Sequence, residues 1–378
     1  MNGVLWLGTK QPERSALDLQ CADRRRSDAI EAASAAGLHY VNEGDAGYLR
    51  IGGKNGFQLR DEDGAVVRDA RVRERVRRLV IPPAWTDVWI CASPRGHIQA
   101  AGRDARWRKQ YIYHPAWSDL RDQTKFKRLV AFARVLPRIR RRVARDLGRR
   151  NLSKERVVAT IVQLLDLTHI RIGNEEYARS NKSFGLTTLR DRHAKVTTGL
   201  VEFRFQAKSG KLQCVRLSDR RLARIVKACQ DLPGQHLFQY VDADGSPKPV
   251  TSSDVNAYLR AIAGDDFTAK DFRTWAGTVL AATALCEPDP DSGACRSVPV
   301  AIKLVAARLG NTPAVCRKSY IHPGIIEGHL AGTLRPSLER RAMARLTHGA
   351  AALSAAERVV LAFLSGRRRP ARRVPASA

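Results

Sequence analysis

The sequence predicts an α+β protein in which a small β-rich N-terminal domain precedes a mainly α-helical domain that carries a β-hairpin and a small sheet. Residues 38–117 are rich in glycine turns and contain short alternating runs, at 85–91 and 110–114, that are typical of antiparallel strands. From residue 125 onward, apolar residues recur every three or four positions instead, which indicates amphipathic helices.

The length of the chain supports two domains with an extension at each end. At 378 residues it exceeds the usual size of one domain and can bury a sizeable core. We expect a weakly ordered leader over residues 1–36, an N-terminal domain over 37–118, a helical domain over 119–334, and a helical, then disordered basic tail over 335–378.

The first long helix is predicted over residues 125–147 and has an arginine-rich outer face. Its apolar positions lie three or four residues apart: Phe126, Leu129, Ala133, Leu136, Ile139, Val143 and Leu147. Pro137 lies inside this pattern and is expected to kink the helix or divide it. A second helix is expected to begin near Ser153, a suitable N-cap, and to lead into the segment around Arg171.

A β-hairpin is predicted next. Residues 200–206 alternate strictly between apolar and polar, the segment Lys208-Ser209-Gly210 turns the chain, and residues 212–217 return. The hairpin therefore carries a lysine at its tip. Further helices are expected near residues 220–229 and 254–263.

The start of the helix that carries Arg273 is well specified. Thr268 is a suitable N-cap, Asp271 occupies the third helical position, and Phe267 can pack against Phe272 across the helix start. Arg273 is therefore expected to project from a firmly anchored second turn.

The segment around Tyr320 poses a geometric problem. Gly310 suits the end of one helix, while Thr312 and Pro313 suit the start of the next. If that helix ran straight to Tyr320, its rise of about 1.5 Å per residue would leave Asn311 and Tyr320 about 13 Å apart. Either the helix breaks before Tyr320, or the tyrosine moves when a ligand binds.

The charge of the chain favours a polyanionic partner. Lys and Arg outnumber Asp and Glu by 66 to 37, a formal net charge of +29, and nucleic acid is the leading candidate for such a surplus. The alternative is a coding bias toward arginine.

The cysteines and the apolar runs limit the compartment and the cofactors. The seven cysteines are scattered without a C-x-x-C pair or a histidine at zinc-ligand spacing, so neither a metal site nor a disulfide framework is indicated. The apolar runs are too short for a membrane span, and the first ten residues lack the pattern of a signal peptide. We therefore expect a cytoplasmic protein.

Four sequence blocks, in order, resemble the poxvirus and bacterial branch of type IB DNA topoisomerases over residues 38–330. They are R-I-G-N-E-E-Y from Arg171 with F-G-L-T-T-L-R from Phe184, F-R-F-Q-A-K-S-G-K from Phe203, A-K-D-F-R-T-W from Ala269, and L-G-N-T-P-A-V-C-R-K-S-Y-I-H-P from Leu309. The resemblance identifies residues 119–334 as the catalytic domain. It implies an enzyme that relaxes double-stranded DNA through a 3′-phosphotyrosyl intermediate and needs neither ATP nor a metal, in keeping with a sequence that has no Walker loop or acidic metal cluster.

The resemblance also implies a role for each candidate catalytic residue. Tyr320 corresponds to the nucleophile, Arg171 and Arg273 to the phosphate-binding arginines, and Lys208 to the proton donor for the leaving strand. Asn311 departs from the family pattern, because many members have histidine there. An amide can donate a hydrogen bond to a phosphoryl oxygen but does not exchange a proton near neutral pH.

DNA contacts are expected mainly in the N-terminal domain, where R-K-Q-Y-I-Y from Arg108 resembles the family's DNA-facing strand. The candidates combine cationic groups for phosphates with polar and aromatic groups for the groove: Arg106, Arg108, Lys109, Gln110, Tyr111 and Tyr113, together with Lys270 in the catalytic domain. An ordinary half-buried strand with a basic neighbour is the alternative. We expect a nucleoid-associated bacterial monomer whose two domains close around the duplex as a clamp.

Two other functions are weighed against this one. Tyrosine recombinases use similar chemistry on a related fold, but that family has histidine three residues before its second arginine, where this chain has Lys270. A noncatalytic architectural DNA-binding protein would account for the charge. It would leave the ordered set of catalytic residues unexplained.

Overall fold

The computed structural model describes residues 16–53, 56–288, 295–342 and 353–366. The chain forms two units, Met1–Lys125 and Phe126–Ala378, and helices dominate the second of them. This architecture confirms the α+β class predicted from the sequence.

An antiparallel five-stranded sheet organises the N-terminal unit, with the strand order β2-β1-β3-β4-β5. The elements of this unit are α1 (Ala16–Ala35), β1 (Gly47–Gly53), β2 (Gly56–Arg60), α2 (Ala70–Arg78), β3 (Thr86–Cys91), β4 (Ile98–Arg103) and β5 (Lys109–Tyr113). The central strand β3 is buried on both faces, because Val88 and Ile90 pack into one cluster and Trp89 and Cys91 into another. Strand β5 lies at an edge of the sheet.

Helix α1 occupies much of the segment that was expected to be a loose leader, and this expectation is wrong for residues 16–35. Ala33 is fully buried and packs with Leu38 and Trp117. The contacts come largely from alanines, whose weak hydrophobic pattern does not mark a helix in the sequence. Residues 1–15 lie outside the described part of the chain.

The second unit is built from helices around two small antiparallel sheets, β6-β7-β8 and β9-β10. Its elements are α3 (Pro115–Leu147, which begins in the first unit), α4 (Lys154–Thr168), α5 (Glu175–Asn181), β6 (Ala194–Thr197), β7 (Leu200–Gln206), β8 (Leu212–Ser218), α6 (Arg220–Gln230), β9 (Gln239–Val241), β10 (Pro247–Pro249), α7 (Ser252–Ala263), α8 (Ala269–Cys286), α9 (Val298–Leu309), α10 (Pro313–Ser319), α11 (Pro323–Leu330), α12 (Leu334–Ala342) and α13 (Ala355–Gly366). The hairpin predicted around Lys208 is confirmed as β7 and β8.

Helix α3 passes through Pro137 as one element, so of the two effects expected of this proline, a kink or a division of the helix, the division is wrong. The apolar residues predicted for its inner face are all buried. A proline inside a helix costs about 3 kcal/mol, whereas each large buried aliphatic side chain stabilises the fold by about 1.5–3 kcal/mol. The burial of Leu136 and Ile139 on either side of Pro137 therefore outweighs the cost.

Helix α13 packs into the core of the second unit, although the sequence placed it in a tail. Its residues Val360, Phe363 and Leu364 are buried in the same cluster as the helices that precede it. The basic segment after Gly366, which was predicted to be disordered, lies outside the described residues. Within the described ranges no helix is both long enough and apolar enough to cross a membrane.

Candidate active site

Arg171 lies just beyond the end of α4, where the chain leaves the helix through a left-handed residue. Ser153 caps the start of α4, as predicted, and His169 (φ 57°) ends it. The backbone oxygen of Arg171 accepts a hydrogen bond of 2.9 Å from the Leu186 N–H. A Cβ atom on Gly185 would lie 2.5 Å from that same oxygen, so this close approach requires glycine. The first sequence block is therefore one packed unit.

Arg273 projects from the second turn of α8, whose start is anchored as predicted. The Thr268 N–H donates to the Asp271 carboxylate at 2.8 Å, which closes the cap. Phe267 and Phe272 both pack edge-on against Phe132, so the expected pairing of these two rings is mediated by a third. The helix end is thereby fixed to α3.

The Arg273 guanidinium is buried, with 3% of the residue exposed. It donates to the backbone oxygen of His169 and, at 2.7 Å, to that of Leu309. Burial, together with the charge of Arg171, lowers the pKa of Arg273 to about 10. The group therefore stays charged at neutral pH, and its Nε atom has no hydrogen-bond partner among the described residues.

Arg171 and Asn311 form a second polar pair next to Arg273. The Arg171 guanidinium donates to the side-chain oxygen of Asn311 and, at 3.5 Å, to the backbone oxygen of Gly310. Burial lowers the pKa of Arg171 as well. The amide nitrogen of Asn311 is buried and, within the part of the chain that the structure describes, has no acceptor. This amide N–H is therefore available to donate a hydrogen bond to a bound ligand.

Tyr320 meets both arginines because helix α10 ends one residue before it. Thr312 caps α10 and Pro313 begins it, as predicted. Tyr320 itself has a non-helical backbone (φ −130°, ψ −11°), and its hydroxyl forms hydrogen bonds with the Arg171 and Arg273 side chains. The Arg273 Cζ atom lies 5.3 Å from the centre of the tyrosine ring. The helix therefore breaks before Tyr320, and the tyrosine hydroxyl lies beside both guanidinium groups.

The backbone of Tyr320 rests on α8. Its oxygen accepts a hydrogen bond of 3.3 Å from the Thr278 hydroxyl. Gly277 leaves room for this approach, because a Cβ atom there would lie 2.7 Å from the Tyr320 oxygen and 3.1 Å from its Cβ. Sequence reasoning missed Gly277, and the position of a glycine inside a predicted helix, one turn after Arg273, was the available signal.

Lys208 stands apart from this cluster. It is exposed at the tip of the β7–β8 hairpin, where Ser209 (φ 65°) and Gly210 (φ 74°) turn the chain. Its side chain makes no hydrogen bond or ion pair with another described residue. The Phe184 N–H donates to the Gln206 oxygen at 2.8 Å, which ties the base of the hairpin to the segment that supports Arg171. The structure thus brings Tyr320, Arg171, Arg273 and Asn311 together and leaves Lys208 on an adjoining arm.

The candidate DNA contacts of the N-terminal unit lie on and beside the edge strand β5. Lys109, Tyr111 and Tyr113 alternate as its exposed residues, and the two tyrosine rings stack with centres 5.8 Å apart. The Asp104 carboxylate pairs with Arg108 at 2.7 Å and accepts a hydrogen bond of 3.0 Å from Gln110. Arg106 and, in the second unit, Lys270 are exposed.

The tip of the β4–β5 hairpin carries an aromatic residue that sequence reasoning missed. Trp107 is 69% exposed and adopts a left-handed backbone (φ 59°). The Arg103 guanidinium lies 5.7 Å from the centre of its ring. A tryptophan flanked by arginines in R-D-A-R-W-R-K was the signal in the sequence.

Two protein families match this chain. The family described as Eukaryotic DNA topoisomerase I, catalytic core, matches residues 114–329, which include every candidate catalytic residue. The family described as Bacterial DNA topoisomerase IB, N-terminal domain, matches residues 56–104, which lie in the five-stranded sheet and its connections.

Known relatives include viral enzymes. DNA topoisomerase 1B of Acanthamoeba polyphaga mimivirus is 35% identical over 258 residues, which cover 66% of this chain and 77% of the viral protein. DNA topoisomerase I of Monkeypox virus is 22% identical over 263 residues, covering 67% of this chain and 81% of its own. DNA topoisomerase 1B of Vaccinia virus (strain Copenhagen) shows the same identity and coverage.

We expect Gly277→Ala to displace Tyr320 and to slow DNA cleavage. Alanine stabilises a helix by about 0.5–1 kcal/mol relative to glycine, so the variant should still fold. The added methyl group, however, must push the Tyr320 backbone away. A displacement of about 1 Å can cost about 100-fold in rate. The measurement is single-turnover cleavage of bound DNA.

Gly44→Ala is the control, because a Cβ atom at Gly44 meets nothing within 4 Å. An unchanged cleavage rate in Gly277→Ala would show that the contact with α8 does not set the position of Tyr320.

Proposed function

The chain belongs to the type IB DNA topoisomerase family, and we propose that Tyr320, Arg171, Arg273, Asn311 and Lys208 carry out its strand cleavage and religation. As a member of this family, the protein relaxes supercoiled DNA by cutting one strand, holding it through a 3′-phosphotyrosyl bond and resealing it. The observation that supports the residue assignment is the convergence of the Tyr320 hydroxyl with two guanidinium groups, the buried one of Arg273 and the half-buried one of Arg171.

Tyr320 is the nucleophile in this proposal. A tyrosine hydroxyl has an ordinary pKa of about 10, so at pH 7 about one molecule in a thousand is ionised, a deficit of about 4 kcal/mol. Two guanidinium groups that hydrogen-bond to the hydroxyl oxygen favour the phenolate and offset part of this deficit. The phenolate oxygen attacks phosphorus, and the bond from phosphorus to the 5′ oxygen breaks.

Arg171 and Arg273 stabilise the charge that develops on the phosphoryl oxygens during attack. Both stay protonated and both are held by backbone oxygens at helix ends, so their remaining donors point at a fixed place. Prearranged charges in a buried site stabilise a transition state more effectively than mobile charges in water. Asn311 contributes its unpaired amide N–H to the same oxygens, as a hydrogen-bond donor without an acid role.

Lys208 protonates the leaving 5′ oxygen. A free alkoxide would be about as basic as hydroxide, whose parent water has a pKa of about 15.7, so departure requires an acid. A lysine ammonium on a hairpin tip can reach into a DNA groove, which fits its exposure without DNA. In religation the same amine takes the proton from the 5′ hydroxyl, which attacks phosphorus and releases Tyr320.

The two steps conserve the energy of the linkage. One phosphodiester is exchanged for another, so resealing draws on the phosphotyrosyl bond and requires no nucleotide.

The exposed edge of the N-terminal sheet binds DNA, and so does the catalytic unit. Lys109, Tyr111, Tyr113, Arg106 and Arg108 present charge and rings along β5 and the adjoining turn, which suits phosphate and groove contacts. Lys270 adds an exposed charge beside the start of α8. The protein acts as a monomer that closes around the duplex as a clamp. The match to a bacterial N-terminal domain supports a bacterial, cytoplasmic enzyme associated with the nucleoid.

We expect the protein to relax positively and negatively supercoiled plasmid in the presence of EDTA and the absence of ATP. The chemistry assigned here uses protein groups alone, and both directions of relaxation follow from swivelling of the nicked duplex. The measurement is the distribution of topoisomers on an agarose gel. Relaxation that required magnesium would contradict the assignment.

We expect Tyr320→Phe to bind DNA normally and to form no covalent complex under denaturing conditions, because the change removes just the nucleophilic oxygen. Phenylalanine variants of four other tyrosines are the controls and should still form the adduct: Tyr111, Tyr113, Tyr177 and Tyr258. An adduct mapped by mass spectrometry to another tyrosine, or recovered on a 5′ phosphate, would overturn the assignment.

We expect Lys208→Ala to slow cleavage of ordinary DNA far more than cleavage of DNA with a 5′-phosphorothiolate at the scissile position. Sulfur leaves without a proton, so the substrate bypasses the acid. Equal losses on the two substrates would show that Lys208 has another role.

A further inference from the structure

Helix α13 begins with a cap that buries a carboxylate. The Ser354 N–H donates to Glu357 Oε2 at 2.7 Å, and the Glu357 N–H donates to the Ser354 hydroxyl at 3.2 Å. Glu357 is 7% exposed. A glutamate in the first turn of a helix is usually exposed, and a buried glutamate is usually paired with a cation or hydrogen-bond donors.

The Glu357 carboxylate joins three helices. Its two oxygens accept hydrogen bonds of 2.8 Å from both terminal nitrogens of Arg140 on α3. One oxygen also accepts from the indole N–H of Trp275 on α8 at 3.1 Å. Arg140 in turn pairs with Asp166 on α4, at 2.7 and 3.0 Å. Burial by itself would raise the pKa of Glu357, but its hydrogen bonds with Arg140 lower that pKa overall, so the carboxylate is charged.

The residues of this network are close along the chain to both arginines of the active site. Trp275 follows Arg273 by two residues on α8. Asp166 precedes His169 by three residues, and the backbone oxygen of His169 holds the Arg273 guanidinium. Two residues after His169 the chain reaches Arg171. The start of α8 is thus bound to the Glu357 carboxylate directly, through Trp275, and the end of α4 is bound to it through Asp166 and Arg140.

We propose that Glu357 is a positioning residue for Arg171 and Arg273, so that the C-terminal helix α13 is part of the catalytic apparatus. This inference rests on the roles proposed above for the two arginines. Helix α13 lies beyond residues 114–329, the segment that matches the catalytic core of the family. A segment outside that core therefore holds the two phosphate-binding arginines of the core in position.

The test substitutes Glu357→Gln and measures single-turnover cleavage of DNA that is already bound. Glutamine keeps the shape but turns one acceptor into a donor, which then faces N–H groups of Arg140 and Ser354. We expect cleavage to slow about tenfold while DNA affinity stays within about twofold, because the change acts on geometry at the reacting phosphate. Trp275→Phe is a second variant that removes the indole N–H and should slow cleavage in the same direction.

A double-mutant cycle distinguishes positioning from general loosening of the fold. If Glu357 acts through Arg273, Glu357→Gln should cause little further slowing in an Arg273→Ala background, because coupled residues have non-additive effects. Asp146→Asn is the matched control. Asp146 is 1% exposed and pairs with Arg142, Arg149 and Tyr258, so none of its hydrogen bonds or ion pairs within the described residues reaches α8 or the end of α4. It should leave the cleavage rate of the folded protein unchanged.

The possible results separate the two hypotheses. An unchanged rate in both Glu357→Gln and Trp275→Phe would overturn the positioning role, and so would equal slowing by Asp146→Asn or full slowing by Glu357→Gln in the Arg273→Ala background. If Arg273→Ala alone cleaved at the normal rate, the proposed role of that arginine would fail first.

Discussion

Two guanidinium groups, the buried one of Arg273 and the half-buried one of Arg171, lie side by side, and the surrounding structure has to accommodate both charges. Each group loses hydration and faces a like charge, so the fold must supply acceptors. Arg273 donates to the backbone oxygens of His169 after α4 and Leu309 at the end of α9, and Arg171 donates to Gly310 and Asn311. The Tyr320 hydroxyl is hydrogen-bonded to both guanidinium groups.

This arrangement links the packing of the protein to the chemistry of its substrate. The side-by-side charges are best compensated by an anion, and in the proposed function the scissile phosphate is that anion, beside the Tyr320 oxygen. Close contacts at Gly185 and Gly277 keep the backbones of Arg171 and Tyr320 in place, and the Glu357 carboxylate fastens the helices behind them. Lys208 is different, because it is exposed at the tip of the β7–β8 hairpin and makes no hydrogen bond with another described residue.

Much of this was predictable wherever local chemistry decides the structure. The caps at Ser153, Thr268 and Thr312 and the turn at Lys208 follow from side chains that satisfy nearby backbone groups, and the structure confirms them. Long-range packing decided the rest. Pro137 stays in a helix because of what its neighbours bury, and α13 joins the core through Glu357, whose partners lie about 80 to 220 residues away. The break before Tyr320 was posed as an alternative and needed the structure to resolve it.

We expect Tyr320, Arg171 and Arg273 to be assembled before DNA binds, and a crystal structure of the DNA-free protein tests this expectation. It should show clear density for the Tyr320 hydroxyl within hydrogen-bonding distance of the Arg171 and Arg273 guanidinium groups, with α10 ending at Ser319. A continuous helix through Tyr320, with its hydroxyl about 8 Å or more from both guanidinium groups, would show that the tyrosine is not assembled with the arginines, since a straight helix places that residue far from Asn311.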